Sequence, residues 1–320
     1  MLEVRGLTVE YGKLRAVDAV DLTVPEGALL GLVGESGCGK STLVRAVMGV
    51  LAPGARMRGE VLVGGAPVRR ERLWRDLAFV PQTAMNALDP VYRLREQMRE
   101  VLCGRGGLAR EAADRRAAEL FRDVGLDPAR LADFPHQFSG GMRQRAGIAL
   151  ALALHPRLLL LDEPVTALDV IVQRQVLDTL RDLAAAQRLS AVVVTHDISV
   201  VAYLCDAVAV MYAGRIVECG PARDVLTRPA HPYTMGLMNA FPDLQGATGA
   251  LTCIEGAPPD LLHPPPGCRF APRCPFALPA CTEADPAMLA TGPGHAAACI
   301  RAGEAEGLRA RAREAEAWAA

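Results

Sequence analysis

The sequence GESGCGKST, residues 34–42, decides the fold class of this chain of 320 residues. It has the spacing G-x-x-x-x-G-K-[ST] and lies between the strand-like run LLGLV and the helix-like run TLVRAVMG, the context that a phosphate-binding loop requires. Glycines let backbone N–H groups turn towards phosphates, and the helix N-terminus adds partial positive charge. Lys40 should reach the terminal phosphates, and the Ser41 hydroxyl should ligate Mg²⁺. The predicted nucleotide site comprises Gly34, Glu35, Ser36, Gly37, Cys38, Gly39, Lys40, Ser41 and Thr42.

A pair of carboxylates follows a run of leucines further along the chain. Residues 158–161 are all leucine, and Asp162 and Glu163 come next. Ligands of open α/β sheets bind at the carboxyl ends of the strands, where this pair is expected to emerge. There Asp162 is suited to hold Mg²⁺ through its water shell, and Glu163 to accept a proton from an attacking water or to orient it.

The order of apolar runs predicts an α/β fold. The first eighty residues alternate short β-rich runs with turns, and residues 93–131 carry a helical pattern. A further helix should begin near Ser139 and end before Pro156. From Leu158 onwards strands alternate with helices, and these strands are apolar nearly throughout. This pattern is typical of a parallel sheet covered on both faces.

The composition changes after Pro221. Ten of the 23 prolines lie between residues 246 and 301, so we expect this segment to wrap as loops rather than to form regular helix or sheet. Residues 301–320 could form a surface helix or fray.

Composition limits the classes of function. Apolar residues make up 51% of the sequence, but charges, His or Pro interrupt each long apolar run, so we expect no membrane-spanning helix. The N-terminus has a strand pattern rather than that of a secretion signal. The formal net charge is −1, which disfavours nucleic-acid binding. Nine cysteines without a secretion signal indicate a reducing compartment.

The octet FSGGMRQR, residues 138–145, separates this chain from other phosphate-loop hydrolases. It resembles the signature of the ATP-binding cassette (ABC) family. The resemblance implies that serine and glycine N–H groups here bind the γ-phosphate of ATP held by the phosphate loop of a second subunit, an anion site at a helix N-terminus. The signature residues carried over are Ser139, Gly140, Gly141 and Gln144.

Further matches to the ABC family occur in the expected order. Gln82 in FVPQ resembles the Q-loop glutamine and His196 in VVVTHD the switch histidine, both with implied catalytic roles beside Glu163. Residues 167–169, ALD, resemble the D-loop, whose Asp169 should bridge two nucleotide sites, and Tyr11 matches the aromatic position that stacks on adenine. The implied Mg²⁺ ligands are Ser41, Gln82 and Asp162.

The chain carries one phosphate loop and one signature, so the resemblance implies a dimer with a second homologous ABC ATPase, most simply a heterodimer. ATP then holds the two subunits together, and hydrolysis releases them.

The sequence after the cassette is similar to the C-terminal extension of the D-type ATPase subunits of bacterial oligopeptide and dipeptide importers. The similar stretches are HPYTMGL at 231–237, residues 256–281 and GHAAAC at 294–299. Small departures from the family pattern are Cys38, Val165 and Asp89.

This similarity implies a domain organisation. An ABC nucleotide-binding domain should span residues 1–230, with a helical signature subdomain at about 84–155. A loop-rich, cysteine-containing extension should span residues 231–320.

The same similarity implies a role and partners. The role is ATP-driven uptake of peptides, with the chain peripheral on the cytoplasmic face of the inner membrane. The partners are two membrane permeases and an extracytoplasmic peptide-binding protein, with no nucleic acid. Nickel or another small solute is the nearest alternative cargo. A soluble non-transport ABC ATPase and a redox sensor with a vestigial ATPase are the alternatives from other classes.

Four late cysteines have a spacing that suits a metal site. Cys268, Cys274, Cys281 and Cys299 are spaced C-x5-C-x6-C-x17-C, which supplies enough thiolates for one zinc ion or one iron–sulfur cluster. The resemblance implies a [4Fe–4S] cluster, while Zn²⁺ and unliganded core thiols stay open. The remaining cysteines are expected to be buried or spare thiols: Cys38, Cys103, Cys205, Cys219 and Cys253.

Overall fold

Two β-sheets organise the chain, which a computed structural model describes at residues 1–82, 87–166, 168–240 and 254–318. The strands are β1 Leu2–Tyr11, β2 Leu14–Val24, β3 Leu29–Val33, β4 Ala55–Val63, β5 Ala66–Pro67, β6 Leu77–Val80, β7 Leu158–Asp162, β8 Ser190–Val194, β9 Ala207–Tyr212, β10 Arg215–Pro221, β11 Leu289–Gly292 and β12 His295–Ala297. The α-helices are α1 Lys40–Val47, α2 Leu94–Arg99, α3 Arg110–Asp123, α4 Gly140–Ala151, α5 Val170–Gln187, α6 Ile198–Leu204, α7 Ala222–Thr227, α8 Pro232–Asn239 and α9 Ala305–Ala312.

The larger sheet has the strand order β11-β12-β10-β9-β3-β8-β7-β6. Strands β9, β3, β8, β7 and β6 are parallel, while β10, β12 and β11 continue the sheet in antiparallel fashion. The parallel sheet predicted from sequence is therefore confirmed for the centre, and one edge is antiparallel. Since β10 follows β9 after a two-residue turn, the chain has no room for the crossover that a parallel neighbour needs.

Both faces of the parallel strands are covered. Along β8, Ala191 and Val193 pack in the same apolar cluster as the helices of the signature region, while Val192 and Val194 pack in the cluster of the N-terminal sheet and α1. This alternation is what a strand with period two produces between two layers. The second sheet is antiparallel, with the order β2-β1-β4-β5.

The helical region after β6 is divided rather than continuous. The predicted helical pattern at 93–131 forms α2, a π-helix at Glu100–Arg105, α3 and a 3-10 turn at Pro128–Ala132. Helix α4 begins where the sequence predicts, because Ser139 is its N-cap and accepts a hydrogen bond from the N–H of Met142 at 3.3 Å. The signature therefore lies at the exposed start of a helix.

The prediction that the proline-rich segment contains no regular structure is wrong in part. Strands β11 and β12 form a hairpin, and β12 pairs with β10, so the larger sheet holds this part of the extension. The prolines lie outside the short paired runs, in the irregular chain, turns and 3-10 segments around them. The first part of the segment, residues 246–253, lies outside the described residues.

The C-terminal tail packs on the rest of the chain. The surface helix that the sequence allowed is present as α9, and Leu308, 2% exposed, and Trp318, 5% exposed, pack against the rest of the chain. Residues on both sides of the predicted domain boundary at 230, among them Val33, Tyr233 and Phe270, share one apolar cluster.

Across the described ranges, no helix is both long enough and apolar enough to span a bilayer.

Candidate functional site

The predicted nucleotide residues meet at one edge of the larger sheet. The phosphate loop follows β3, Gln82 follows β6, and Asp162 and Glu163 lie at the end of β7. His196 follows β8. Because these four strands are parallel, their carboxyl ends lie side by side, and the sequence-distant motifs form one site.

Two glycines of the phosphate loop are required by close backbone packing. Gly34 has φ of 153°, and a Cβ there would lie 2.1 Å from the carbonyl oxygen of Met211. Gly39 has φ of 111°, and a Cβ there would lie 2.3 Å from the carbonyl oxygen of Ala16. Any larger residue at either position would push the loop away from β2 and β9.

Lys40 is 7% exposed and its ammonium group lies against the loop itself. Its Nζ donates hydrogen bonds to the carbonyl oxygens of Gly34 at 2.7 Å and Glu35 at 2.9 Å, and the Sγ of Cys38 is 3.7 Å away. This places a positive charge where a helix N-terminus already favours anions. Ser36, Gly37 and Ser41 form the exposed face of the same loop.

Glu163 is the centre of a hydrogen-bonded group. Its Oε2 accepts from Gln82 Nε2 at 2.7 Å and from Thr166 Oγ1 at 3.1 Å. Its Oε1 lies 3.0 Å from His196 Nδ1. The structure thus brings together the three residues predicted to be catalytic, and adds Thr166, which sequence reasoning did not select.

The backbone of Glu163 is strained. Its φ is +49°, in the left-handed region that residues with a Cβ disfavour, at a cost of roughly 1–3 kcal/mol. Its N–H donates to the carbonyl oxygen of Val194 at 2.8 Å, which ties the strained turn to β8. Strain of this kind concentrates at sites where a side chain must be aimed.

Asp162 has a pKa raised above its usual range. Burial is the main cause, and the adjacent charge of Glu163 adds to it, while the nearby charge of Lys40 opposes the rise. Adjacent carboxylate oxygens beside a hydroxyl-bearing loop are the hard donors that Mg²⁺ prefers. The chemistry of Asp162 and Ser41 therefore fits this ion.

The signature residues divide into two groups. Ser139 is exposed, and Gly141 packs so closely on α5 that a Cβ would lie 2.1 Å from Val172 Cγ1. Gln144 is only 3% exposed, so its side chain faces the interior, whereas that of Ser139 is exposed. Five residues along a helix turn the side-chain direction by about 140°, which separates these two.

The remaining predicted contacts lie near the ends of their elements. Tyr11 is the half-buried last residue of β1, and Asp169 is the N-cap of α5, accepting from the N–H of Val172 at 3.0 Å. Ala167 of the predicted D-loop lies outside the described residues.

The four late cysteines line one cavity in the extension. Cys268, Cys274, Cys281 and Cys299 share its wall with Phe270 and Phe276. All four are free thiols, and burial raises the pKa of Cys274 to about 12 and that of Cys299 to about 11. Within the residues that the structure describes, no three His, Cys, Asp or Glu side chains are placed to hold one metal ion, so the metal prediction is not confirmed.

The other cysteines behave as structural thiols where they are described. Cys38 is buried, Cys103, Cys205 and Cys219 are half-buried, and burial raises the pKa of Cys205 to about 12. Cys253 lies outside the described residues.

The structure also adds contacts that sequence reasoning did not select. Glu35 in the phosphate loop forms an ion pair with Arg273 of the extension, and the N–H of Glu35 donates to the hydroxyl of Tyr233 at 2.9 Å. Tyr233 belongs to the run HPYTMGL, whose similarity to the extension of the family had already singled out this stretch. The position of Arg273 in the sequence gave no indication of a contact with Glu35.

A phosphate loop and a strand-end carboxylate at one sheet edge, with a signature helix beside them, define a P-loop ATPase of the ATP-binding cassette class. The family model for the ABC transporter matches residues 17–166, and the model for the oligopeptide/dipeptide transporter, C-terminal region, matches residues 217–281. The dimeric bacterial ABC transporter cassette MJ0796 aligns over 70% of this chain and 99% of its own, with a TM-score of 0.61 and 26% identity.

Relatives match nearly the whole chain. The oligopeptide transport ATP-binding protein OppD of Salmonella typhimurium is 41% identical over 94% of this chain and 93% of its own length. The dipeptide transport ATP-binding protein DppD of Bacillus subtilis is 39% identical over 93% of this chain and 94% of its own. This chain belongs to the family of ABC transporter ATP-binding proteins that contains them, and it is an ATPase.

Proposed function

We propose that this chain hydrolyses ATP to drive the uptake of oligopeptides or dipeptides through membrane permeases. The observation that carries the ATPase part is Glu163, held between Gln82 and His196 at the edge of the sheet that bears the phosphate loop. The similarity to peptide transport proteins over the cassette and the extension supports the cargo.

The residues have separate tasks in hydrolysis. The loop N–H groups and Lys40 bind the phosphates, with Lys40 exchanging its carbonyl partners for phosphate oxygens. Water attacks the γ-phosphorus, the bond to the β–γ bridging oxygen breaks, and Glu163 takes the proton of the water. His196 and Gln82 aim the carboxylate.

Asp162, Ser41 and Gln82 are the residues proposed to hold Mg²⁺. The ion supplies neutralisation of negative charge on the β- and γ-phosphate oxygens. Tyr11, at the end of β1, is proposed to stack on the adenine.

The nucleotide is proposed to lie between two subunits. Ser139 and Gly140 are at the exposed start of α4, where N–H groups can reach a phosphate on a second molecule. Asp169 at the exposed start of α5 is proposed to bridge the two nucleotide sites. The proposed transporter also contains a second homologous ATPase, two permeases and an extracytoplasmic peptide-binding protein. In it, this chain lies peripherally on the cytoplasmic face of the inner membrane.

Deletion of the gene is expected to abolish uptake of labelled dipeptides or oligopeptides and to leave nickel uptake unchanged. Wild-type protein should restore peptide uptake, and Glu163→Gln should not, because transport needs hydrolysis. Glu283→Gln, an exposed carboxylate of the extension, is the matched control and should restore uptake. Loss of nickel uptake with intact peptide uptake would support the alternative cargo, and co-purification with ribosomes would support a soluble ATPase.

We propose further that the four cysteines of the extension hold a [4Fe–4S] cluster. Their common cavity supports this, as does their freedom from disulfides. A cluster binds each thiolate to a separate iron, and the four cysteines supply the four thiolates that it needs. One zinc ion bound by the same four thiolates is the alternative.

Protein purified without oxygen is expected to be brown and to contain roughly four iron and four sulfide per chain. Exposure to air should bleach the visible absorbance and release both elements. Cys281→Ser should lower the iron content, while Cys103→Ser, a half-buried thiol outside the cavity, should leave it unchanged. A colourless protein with one zinc per chain, or with no metal, would rule the cluster out.

A further inference from the structure

The extension reaches directly into the phosphate loop. We propose that Arg273 is a positioning residue for the ATPase reaction, which grips Glu35 and so holds the phosphate loop in the shape that binds ATP. This inference rests on the proposed nucleotide site. It assigns to the extension a task in ATP binding that is separate from any metal held by its cysteines.

The Arg273–Glu35 pair has the geometry of a strong contact. Nη1 of Arg273 donates to Oε2 of Glu35 at 2.8 Å, and Nη2 donates to Oε1 at 3.1 Å. The side chain of Arg273 is 7% exposed and that of Glu35 is 24% exposed, so water screens the pair only partly. A guanidinium that meets a carboxylate with two parallel hydrogen bonds fixes direction as well as distance.

Arg273 is itself held in place by the backbone of the extension. Its Nε donates to the carbonyl oxygen of Glu255 at 2.9 Å, and Nη2 also donates to the carbonyl oxygen of Ile254 at 3.3 Å. Nη1 lies 3.3 Å from the hydroxyl of Tyr212 at the end of β9. The guanidinium therefore links the extension and the central sheet to one residue of the loop.

Glu35 lies where a shift would disturb phosphate binding. Its N–H donates to the hydroxyl of Tyr233, and its carbonyl oxygen accepts from Lys40 Nζ at 2.9 Å. With Arg273 on its side chain, Glu35 is held at three points. Moving it would move the lysine partner and the neighbouring N–H groups, and displacements of about 1 Å suffice to weaken a positioned site.

Arg269 supports the phosphate loop at a second point, through the backbone of Ala213 and Gly214. Arg269 donates to the carbonyl oxygen of Ala213 and forms an ion pair with Asp18. The N–H of Asp18 donates to the carbonyl oxygen of Gly214 at 2.8 Å. The N–H of Gly214 donates to the carbonyl oxygen of Cys38, also at 2.8 Å. Arg273 ends the 3-10 turn Ala271–Arg273, and Arg269 precedes that turn, so one short segment of the extension contacts Glu35 directly and Cys38 indirectly.

Loss of the Arg273–Glu35 contact is expected to change the affinity for ATP rather than the rate of the chemical step. Arg273→Ala should raise the KM for ATP roughly tenfold or more, the size expected for a charged hydrogen-bonded pair, and should leave kcat within about twofold. Among its described contacts, Arg273 forms no hydrogen bond or ion pair with Glu163, Gln82 or His196, so the chemical step keeps its groups. The same variant should weaken equilibrium binding of a fluorescent ATP analogue to the full chain by the same factor.

Further variants separate positioning from a general loss of structure. Arg273→Lys keeps the positive charge but cannot form the two parallel hydrogen bonds of the guanidinium, so its KM for ATP should lie between those of wild type and Arg273→Ala. Glu35→Gln should raise KM in the same direction, and the double variant Arg273→Ala/Glu35→Gln should be no worse than Arg273→Ala alone, because both remove one contact. Arg301→Gln is the matched control, since Arg301 contacts Phe276 and Glu304 within the extension.

The outcomes are distinct. Unchanged KM in folded Arg273→Lys and Glu35→Gln, or an equal rise in KM for Arg301→Gln, would overturn the positioning role. Additive losses in the double variant would also count against it. Lys40→Ala tests the underlying nucleotide site separately. Normal ATP binding by Lys40→Ala would contradict the phosphate-loop assignment itself. Loss of ATP binding in Lys40→Ala, together with a wild-type KM in the Arg273 variants, would contradict only the positioning role of Arg273.

Discussion

Replacing Glu163 with Gln is expected to lower ATP turnover by roughly 100- to 10,000-fold, the range that a positioned general base contributes. The amide keeps the size of the side chain and can still contact Thr166 and His196, but it cannot take a proton from water. ATP binding should stay within about twofold of wild type, since the phosphate loop is unchanged. Phosphate release under single-turnover conditions and equilibrium binding of an ATP analogue measure the two effects.

The structure adds a reason to expect the large end of that range. Gln82, Thr166 and His196 all converge on this one carboxylate, and its backbone is held in the left-handed region. Glu283→Gln controls for a Glu to Gln change in an exposed position and should leave turnover unchanged. Turnover near the wild-type rate in Glu163→Gln would remove Glu163 from the catalytic role.

Ser139→Asp is expected to lower turnover roughly 100-fold or more at each composite site that Ser139 completes. Removal of one donor to a developing oxyanion costs about 100- to 1,000-fold, and the new carboxylate also repels the γ-phosphate. Asp is as good an N-cap as Ser, so α4 should keep its stability. Binding of ATP to the isolated chain should not change, because its own phosphate loop is intact.

Ser139→Asn is the matched control for this second change. Asn caps a helix as well as Asp does but carries no charge, so its loss of turnover should be much smaller. Thermal unfolding should give the same midpoint for both variants. Equal losses in the two variants, or a loss of ATP binding by the isolated Ser139→Asp chain, would show that Ser139 does not face a phosphate on a partner.

Local sequence signals predicted most of the residues that the structure brings together at the sheet edge. The phosphate loop, Asp162 and Glu163, and the start of α4 each depend on short-range chemistry, which a run of residues records directly. The parallel order of β6, β7, β8 and β3 then brings Gln82, Glu163 and His196 together without further information. Gln144 is buried while Ser139 is exposed, because five residues along the helix separate the two side chains, and its role in the site stays a prediction.

Long-range contacts were harder to predict. The hairpin of β11 and β12 is short and lies among prolines, and for this segment the sequence predicted loops only. The pairing of Arg273 with Glu35 joins residues far apart in the sequence, and neither residue type nor spacing records such a contact. The left-handed backbone of Glu163 is likewise set by its tertiary surroundings.

The decisive experiment is a structure of the assembled Glu163→Gln transporter with Mg·ATP. In it, Ser139 is expected to lie within hydrogen-bond distance of the γ-phosphate of an ATP held by the phosphate loop of the other ATPase subunit. An assembly in which this chain alone surrounds its nucleotide, with residues 138–145 turned away from every bound phosphate, would contradict it.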